Sequence, residues 1–142
     1  MSNETFQVDI LTPERKVLEI KATQVVVQAL SGSMGIKASH VPMVSPLTTV
    51  WPVRVWPAEG EDFEVAICGG FVEVHSDRVS ILAQTAELPA EIDLDRAERA
   101  KERAEERLKR DKGDVDFNRA ETALQRALMR LGVAESGGHL KK

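Results

Sequence analysis

The side chains best suited to covalent catalysis are one cysteine and three histidines, and their spacing forms no catalytic motif. Cys68 precedes Gly69 and Gly70 at the end of an apolar segment, where a small buried thiol is favoured over a nucleophile. The histidines are widely separated in the chain: His40, His75 and His139. The sequence contains neither the glycine-rich phosphate loops nor the serine elbow of hydrolases. An enzyme that uses Cys68 and a histidine is therefore the least favoured alternative.

The composition excludes several classes of protein. The 142 residues carry 19 Lys and Arg against 23 Asp and Glu, a net charge of −4, whereas a dedicated nucleic-acid binder normally has a basic domain. No apolar run approaches the roughly 18 residues that span a bilayer, and the first residues show no secretory signal. The single cysteine excludes an intrachain disulfide and a cysteine zinc cage. We expect a protein of a reducing compartment, with no direct membrane insertion, no nucleic-acid partner and no metal site.

Charge and aromatic content divide the chain near residue 88. Six basic and eleven acidic residues precede Pro89, and thirteen basic and twelve acidic residues lie from Pro89 onward. Both tryptophans and three of the four phenylalanines belong to the first part. This change predicts two domains, residues 1–88 and residues 89–142.

The first part has the pattern of short β-strands. Phe6, Val8 and Ile10 alternate with polar residues, which is typical of a half-buried strand. Residues 50–56 alternate in the same way, and Pro52 among them predicts an edge strand or a bulge. Turn signals separate these strands at intervals of about 8–12 residues, a spacing that indicates an all-β sandwich or barrel.

The second part has the pattern of two helices. Each carries an apolar stripe at helical spacing: Leu94, Ala97, Ala100, Ala104 and Leu108 in the first, and Phe117, Ala120, Leu124, Ala127, Leu128 and Leu131 in the second. Asp93 or Asp95 is suited to cap the first helix, and the break at residues 111–114 predicts an antiparallel hairpin. Alanines on both stripes should let the backbones approach closely. Because the first helix has few apolar residues to bury, we expect the hairpin to be marginal alone and mobile, with a frayed tail from Ser136.

Three segments are less generic than these periodicities. They are residues 31–47 (SGSMGIKASHVPMVSPL), residues 66–74 and 79–83 (AICGGFVEV and VSILA), and residues 92–97, 113–117 and 126–131 (IDLDRA, GDVDF and RALMRL). In this order and spacing they resemble the epsilon subunit family of bacterial F-type ATP synthase, from Phe6 to Glu135. The resemblance implies an N-terminal antiparallel β-sandwich followed by a C-terminal antiparallel two-helix hairpin.

The same resemblance implies a mechanical function. The protein would be a non-catalytic rotor subunit at the foot of the central stalk, coupling rotation to ATP synthesis. Its sandwich would contact the gamma subunit and the c-ring. Its hairpin would move between a folded state and an extended state that reaches the alpha/beta catalytic hexamer and inhibits ATP hydrolysis. The implied location is the cytoplasmic side of a bacterial plasma membrane, where partner subunits hold the chain peripherally.

The resemblance places a c-ring contact in the loop around Ser33, Met34 and His40. Here the sequence departs from the family, because Ser39 replaces the usual glycine and Ala38 the usual proline. Ser33 also stands where an acidic residue is common. We expect a ring contact that is less polar than in relatives, and the alternative is an ordinary exposed loop.

Residues 92–97 fit the family's I/L-D-x-x-R-A signature for ATP binding by the folded hairpin. The resemblance carries this role to eight residues: Glu87, Ile92, Asp93, Arg96, Ala97, Arg103, Arg126 and Arg130. Converging guanidiniums repel one another unless an anion neutralises them, and their forked donors suit phosphate. No cofactor is required, and ATP would be a regulatory ligand. The alternative is ordinary surface ion pairs, each of about 0–1 kcal/mol.

Two further interpretations stay open from the sequence. In the extended state, the basic residues between Arg99 and Arg110 could meet acidic segments of the catalytic beta subunits. As an alternative to the rotor, the chain could be a stand-alone ATP-sensing binding module whose hairpin closes on the nucleotide.

Overall fold

The structure, a computed structural model, describes residues 4–110 and 116–136. Nine strands come first: β1 Phe6–Leu11, β2 Lys16–Ala29, β3 Gly32–Ile36, β4 Met43–Pro46, β5 Val50–Pro57, β6 Phe63–Cys68, β7 Phe71–Val74, β8 Arg78–Leu82 and β9 Thr85–Glu87. A single 3₁₀ turn, Pro89–Glu91, follows β9. Two helices complete the described chain, α1 Leu94–Arg110 and α2 Asp116–Ser136. The predicted fold class, a β-sandwich followed by a helical hairpin, is confirmed.

The strands form one continuous sheet in the order β4-β7-β8-β1-β2-β5-β6-β9, with β3 paired to β2. The neighbours are antiparallel except β1 and β8, which are parallel. A parallel pair between strands so far apart in the chain leaves no local signal in the sequence, because hairpin turns specify only antiparallel neighbours.

The long strand β2 belongs to both halves of the sheet. Residues 16–22 pair with β1, while residues 25–29 pair with β3, and residues 22–26 pair with β5 along the other edge. Side chains from both halves, such as Ile10 and Val55, are fully buried in the same hydrophobic cluster. The sheet therefore encloses one core, which explains the alternation of apolar and polar residues along its strands.

The prediction of an edge strand around Pro52 was wrong for the strand as a whole. β5 lies between β2 and β6. The pairing with β2 extends only to Arg54, so Pro52 pairs with Ala66 on the β6 side alone. A proline is tolerated there because the side of β5 that faces β2 has no hydrogen-bonded partner strand at Pro52.

The two helices pack through alanines, as the sequence predicts. Ala97, Ala104, Ala120 and Ala127 are between 1% and 3% exposed. The wider stripes were partly wrong, since Leu94 and Leu128 are 53% and 48% exposed. Small alanine side chains on both helices allow their backbones to approach closely. The larger leucine side chains then lie outside the contact between the helices. The predicted break at residues 111–114 lies outside the described residues. The predicted tail begins one residue too early, because Ser136 is the last residue of α2, and the rest of that tail lies outside the described residues.

The hairpin joins the sheet through α2, which packs on β5 and β6 and on the 3₁₀ turn. The apolar part of this junction is small: Ala66, Ile92 and Val133, with Met129 and Ala134 packed beside them. The hairpin therefore rests on a limited apolar contact, separate from the core of the sheet.

Cys68, for which the sequence favours a small buried thiol, lies at the end of β6 and is only partly buried.

A cavity between the 3₁₀ turn and the hairpin

A cavity of about 350 Å³ opens where β9, the 3₁₀ turn and both helices meet. The residues that line it come from all four elements and from the short links between them: Glu87, Glu91, Ile92, Asp93, Arg96, Ala97, Ala100, Arg103 and Arg130. Seven of the eight residues that the family resemblance singles out for ATP are among them. The structure thus brings into one place side chains that lie up to 43 residues apart.

The start of α1 is fixed by Asp93, one of the two predicted caps. The Asp93 carboxylate accepts a hydrogen bond from the Arg96 N–H at 3.1 Å, and its carbonyl accepts one from the Ala97 N–H at 3.0 Å. A carboxylate at this position satisfies an orphaned amide and is favoured by the helix dipole. The cap therefore sets the direction in which the first turn of α1 projects its side chains into the cavity.

One face of α1 forms a wall of the cavity. Arg96, Ala100 and Arg103 follow one another at spacings of four and three residues, which places them on the same side of a helix. Within residues 4–110 and 116–136, no carboxylate oxygen lies within 4.0 Å of the guanidinium of Arg96 or Arg103. This wall therefore presents two cationic side chains on either side of a small apolar one.

Arg130 reaches the cavity from α2 and is already engaged. Its Nε donates a hydrogen bond of 2.6 Å to Oε1 of Glu87, and both side chains are 33% exposed. The pair joins the last strand of the sheet to the second helix across the cavity. An anion that binds Arg130 must share this guanidinium with Glu87 or displace the carboxylate.

Arg126 does not line this cavity. It is exposed and borders a separate surface depression with Asn118, Arg119 and Thr122, all on α2. The spacing of four residues does put Arg126 and Arg130 on one helix face, but it also separates them by about 6 Å along the axis. Of these two arginines, only Arg130 reaches the cavity.

Two lining residues, Glu91 and Ala100, were missed from the sequence. Glu91 ends the 3₁₀ turn, and its Oε1 accepts a hydrogen bond of 2.9 Å from the Leu88 N–H. The N-cap residue is Leu88 rather than the usual Ser or Thr, so the sequence does not show the capping-box motif. Ala100 could have been found, because it lies four residues after Arg96 on the same helical face.

The ionisation of Glu91 reflects its neighbours. Burial raises the pKa of this carboxyl, but the hydrogen bonds from the Arg15 side chain and the Leu88 N–H outweigh that effect, so its pKa lies below the ordinary value. The pKa of Arg15 is raised by the same contact with Glu91. Glu91 therefore remains a carboxylate at neutral pH, with an arginine beside it.

The three candidate c-ring residues lie on β3 and in the loop that follows. Ser33 is exposed on β3, opposite Gln28 of β2. Met34 is partly buried and packs against the core of the sheet. His40 lies in the loop after β3, where its Nδ1 is 2.8 Å from the carbonyl oxygen of Val41. Because neighbouring strand residues point to opposite faces, Ser33 and Met34 do not form one surface.

The described ranges, 4–110 and 116–136, contain no group of three or more His, Cys, Asp and Glu side chains that could hold a metal ion. Neither helix, over its described residues, is both long and apolar enough to cross a bilayer. The cavity is a candidate for ligand binding because Arg96, Arg103 and Arg130 converge on it.

Comparison with known proteins gives a consistent family assignment. The protein-family model of the ATP synthase delta/epsilon chain β-sandwich domain matches residues 5–89. The family model of the long α-helix domain of the same chain matches residues 90–135. The ATP synthase epsilon chain of Shouchella clausii is 52% identical over 134 residues, which cover 94% of this chain and 98% of the relative. That of Alkalihalophilus pseudofirmus is 52% identical over 130 residues, covering 91% and 96%.

Two solved structures share the fold at low identity. A chain of the Euglena gracilis mitochondrial ATP synthase has a TM-score of 0.73 and 23% identity, covering 88% of this chain and 78% of that one. A chain of the Tetrahymena thermophila mitochondrial ATP synthase, from its central stalk and c-ring, has a TM-score of 0.54 and 14% identity, covering 95% and 97%. Since both family models match and the sequence relatives agree over nearly their whole length, the chain belongs to the ATP synthase epsilon chain family.

Proposed function

We propose that this protein is the non-catalytic central-stalk rotor subunit of a proton-translocating F-type ATP synthase, and that its hairpin regulates ATP hydrolysis. We further propose that the cavity binds ATP as a regulatory ligand. Membership of the epsilon chain family supports the rotor role. The observation that carries the nucleotide role is the convergence of Arg96, Arg103 and Arg130 on one cavity.

The chemistry of the cavity suits a nucleotide. Its volume of about 350 Å³ lies within the range of roughly 300–1,000 Å³ that is usual for small-molecule sites. The three guanidiniums would hold phosphate oxygens through forked, charge-assisted hydrogen bonds. Ala100 offers a small apolar surface for the base, while Glu87 and Asp93 could accept hydrogen bonds from the amino group or the ribose. These are binding groups, and their proposed purpose is regulation rather than hydrolysis.

Nucleotide binding would stabilise the folded hairpin. The cavity is formed only when β9, the 3₁₀ turn and both helices are together, so a ligand there favours that arrangement by mass action. The apolar junction between the hairpin and the sheet is small. The free energies of the folded and extended states should therefore differ little enough for ligand binding to shift the equilibrium between them. ATP would therefore hold the hairpin away from the catalytic hexamer.

The proposed partners follow from the family. The sandwich would contact the gamma subunit and the c-ring, and these partners would hold the chain at the cytoplasmic face of a bacterial plasma membrane. In the extended state the basic residues of α1 would meet the alpha/beta hexamer. Replacing Arg107 and Arg110 by alanine leaves the cavity residues in place and should then relieve inhibition of ATP hydrolysis in the assembled complex, whereas unchanged hydrolysis would exclude this contact.

A stand-alone ATP-sensing module is the second candidate, because this chain by itself brings Arg96, Arg103 and Arg130 together at the cavity. Mixing the purified chain with gamma subunit and measuring complex formation separates the two. A stable complex supports the rotor role, and a chain that stays monomeric supports the sensor.

Calorimetric titration of the isolated full-length chain with ATP tests the nucleotide site. We expect saturable binding that Arg103→Ala weakens by about tenfold or more, because hydrogen bonds to charged groups contribute about 1.5–3 kcal/mol. Arg99→Ala is the matched control, since it removes the same charge from α1 at an exposed position outside the cavity. Absence of binding at millimolar ATP would refute the nucleotide site and leave the rotor role intact.

A further inference from the structure

Arg15 connects the β-sandwich to the edge of the cavity. It lies in the turn between β1 and β2, and its Nη2 is 2.7 Å from Oε2 of Glu91. The other oxygen of the same carboxylate accepts the hydrogen bond from the Leu88 N–H. Glu91 thus holds its own 3₁₀ turn with one oxygen and the distant β1–β2 turn with the other.

The 3₁₀ turn supplies one wall of the cavity. Its amides are used within the turn, since the Glu91 N–H donates to the Leu88 carbonyl at 2.9 Å and the Ile92 N–H donates to that of Pro89 at 3.3 Å. Pro89 is buried, and the turn is followed directly by Ile92 and Asp93, which line the cavity. A shift of this turn would therefore move two lining residues, and one of them, Asp93, is also the cap of α1.

We infer that Arg15 is a positioning residue for the cavity, acting through Glu91 on the 3₁₀ turn and on Ile92 and Asp93. The inference rests on the proposed nucleotide site. Arg15 itself does not line the cavity. Its positive charge also compensates the Glu91 carboxylate, which otherwise adds a negative charge at the edge of a site for phosphates.

The neighbouring residue supplies a matched control. Lys16 follows Arg15 in the chain, carries the same charge and has nearly the same side-chain exposure, 49% against 48%. Its ammonium contacts Glu19 at 3.0 Å rather than the 3₁₀ turn. Lys16→Ala therefore removes one positive charge near the turn without touching Glu91.

ATP affinity of the full-length chain is the first measurement. We expect Arg15→Ala to weaken ATP binding by about twofold to fivefold, the range for a partly exposed ion pair, and Lys16→Ala to leave it unchanged. Arg15→Lys should restore most of the loss. If Arg15 acts through Glu91, Arg15→Ala should cause no further loss in a Glu91→Gln background. Equal affinity of the wild type and Arg15→Ala, or additive losses in the double variant, would overturn the inference.

Amide hydrogen exchange supplies a measurement that does not need ATP. In the ligand-free chain, Arg15→Ala should speed exchange of the amides of Leu88, Glu91 and Ile92 by about twofold to fivefold, and Lys16→Ala should not. Unchanged exchange in Arg15→Ala would overturn the inference even if ATP binds. If the wild type binds no ATP, the proposed nucleotide site fails, and the exchange data alone decide whether Arg15 positions the turn.

Discussion

Glu87 and Arg130, 43 residues apart in the chain, form a hydrogen-bonded ion pair of 2.6 Å between Oε1 and Nε. Glu87 ends the last strand of the sheet, and Arg130 lies on the second helix. The pair therefore bridges the two parts of the fold that the family resemblance expects to separate. Arg130, one of the three arginines of the candidate site, is thus already paired with a carboxylate.

Breaking this pair should loosen the attachment of the hairpin. In Arg130→Gln without ATP, we expect amides of α2 near Val133 to exchange up to about fivefold faster, because a partly exposed ion pair contributes about 0–1 kcal/mol. Arg126→Gln is the control, being the same change one turn earlier at an exposed position. Equal exchange in the two variants would show that Glu87 does not hold α2.

Filling the cavity should block a ligand without changing any charge. In Ala100→Leu, the larger side chain enters the space between Arg96 and Arg103, while helix propensity is nearly kept. We expect ATP affinity to fall by about tenfold or more in calorimetric titration. Ala58→Leu, at an exposed alanine in the turn after β5, should have no effect. Unchanged affinity in Ala100→Leu would place the ligand outside this cavity.

The sequence predicted much of this site because helical spacing is regular. Arg96 and Arg103 face the same side of α1 once a helix begins at residue 94, and Asp93 is a recognisable cap. The distance of Arg126 from the cavity was not predictable in the same way. It depends on the axial position of α2 against the sheet, which tertiary packing at Ala66, Ile92 and Val133 sets.

The parts of the fold that sequence patterns missed are also tertiary. The parallel pairing of β1 with β8 joins residues about 70 apart, and no turn motif encodes it. The place of Pro52 inside a central strand depends on where β2 stops pairing with β5. Partial exposure of Cys68 likewise follows from its place at the end of β6, which hydrophobicity alone does not reveal.

Gly70 should be among the most sensitive positions of the sheet. Its φ is +119°, and a Cβ there would lie 2.0 Å from the carbonyl oxygen of Leu82. We expect Gly70→Ala to lower the free energy of unfolding by about 3 kcal/mol or more, since backbone strain and a clash combine. In Gly60→Ala, where φ is +102° and no atom lies within 4 Å, the cost should be about 1–3 kcal/mol. Urea unfolding measures both, and equal losses would contradict the clash.

The lowered pKa of Glu91 predicts a pH dependence with a definite sign. A carboxyl whose pKa is lower in the folded state adds stability above its ordinary value of 4.5, and this stability is lost as pH falls through the folded pKa. The contacts of the Glu91 carboxylate with the Leu88 N–H and with Arg15, which hold the 3₁₀ turn, should therefore weaken below about pH 4.5. NMR titration of the Glu91 carboxyl carbon measures this pKa directly, and Arg15→Ala should raise it. The pKa of Glu19, lowered mainly by Lys16, should stay unchanged in that variant, and a parallel rise would indicate a general charge effect.

Contact between β3 and the c-ring gives the last prediction. Ser33 is exposed and faces away from the core that Met34 packs against, so Ser33 is the better position for a crosslink. In the assembled complex, with the partly buried native thiol removed as Cys68→Ser, a Ser33→Cys variant should crosslink to a c subunit. Glu61→Cys, an exposed position in the turn between β5 and β6, should not. A Ser33→Cys variant that forms no adduct, or one that reacts no more than Glu61→Cys, would exclude β3 from the ring contact. The alternative of an ordinary exposed position would then hold for Ser33.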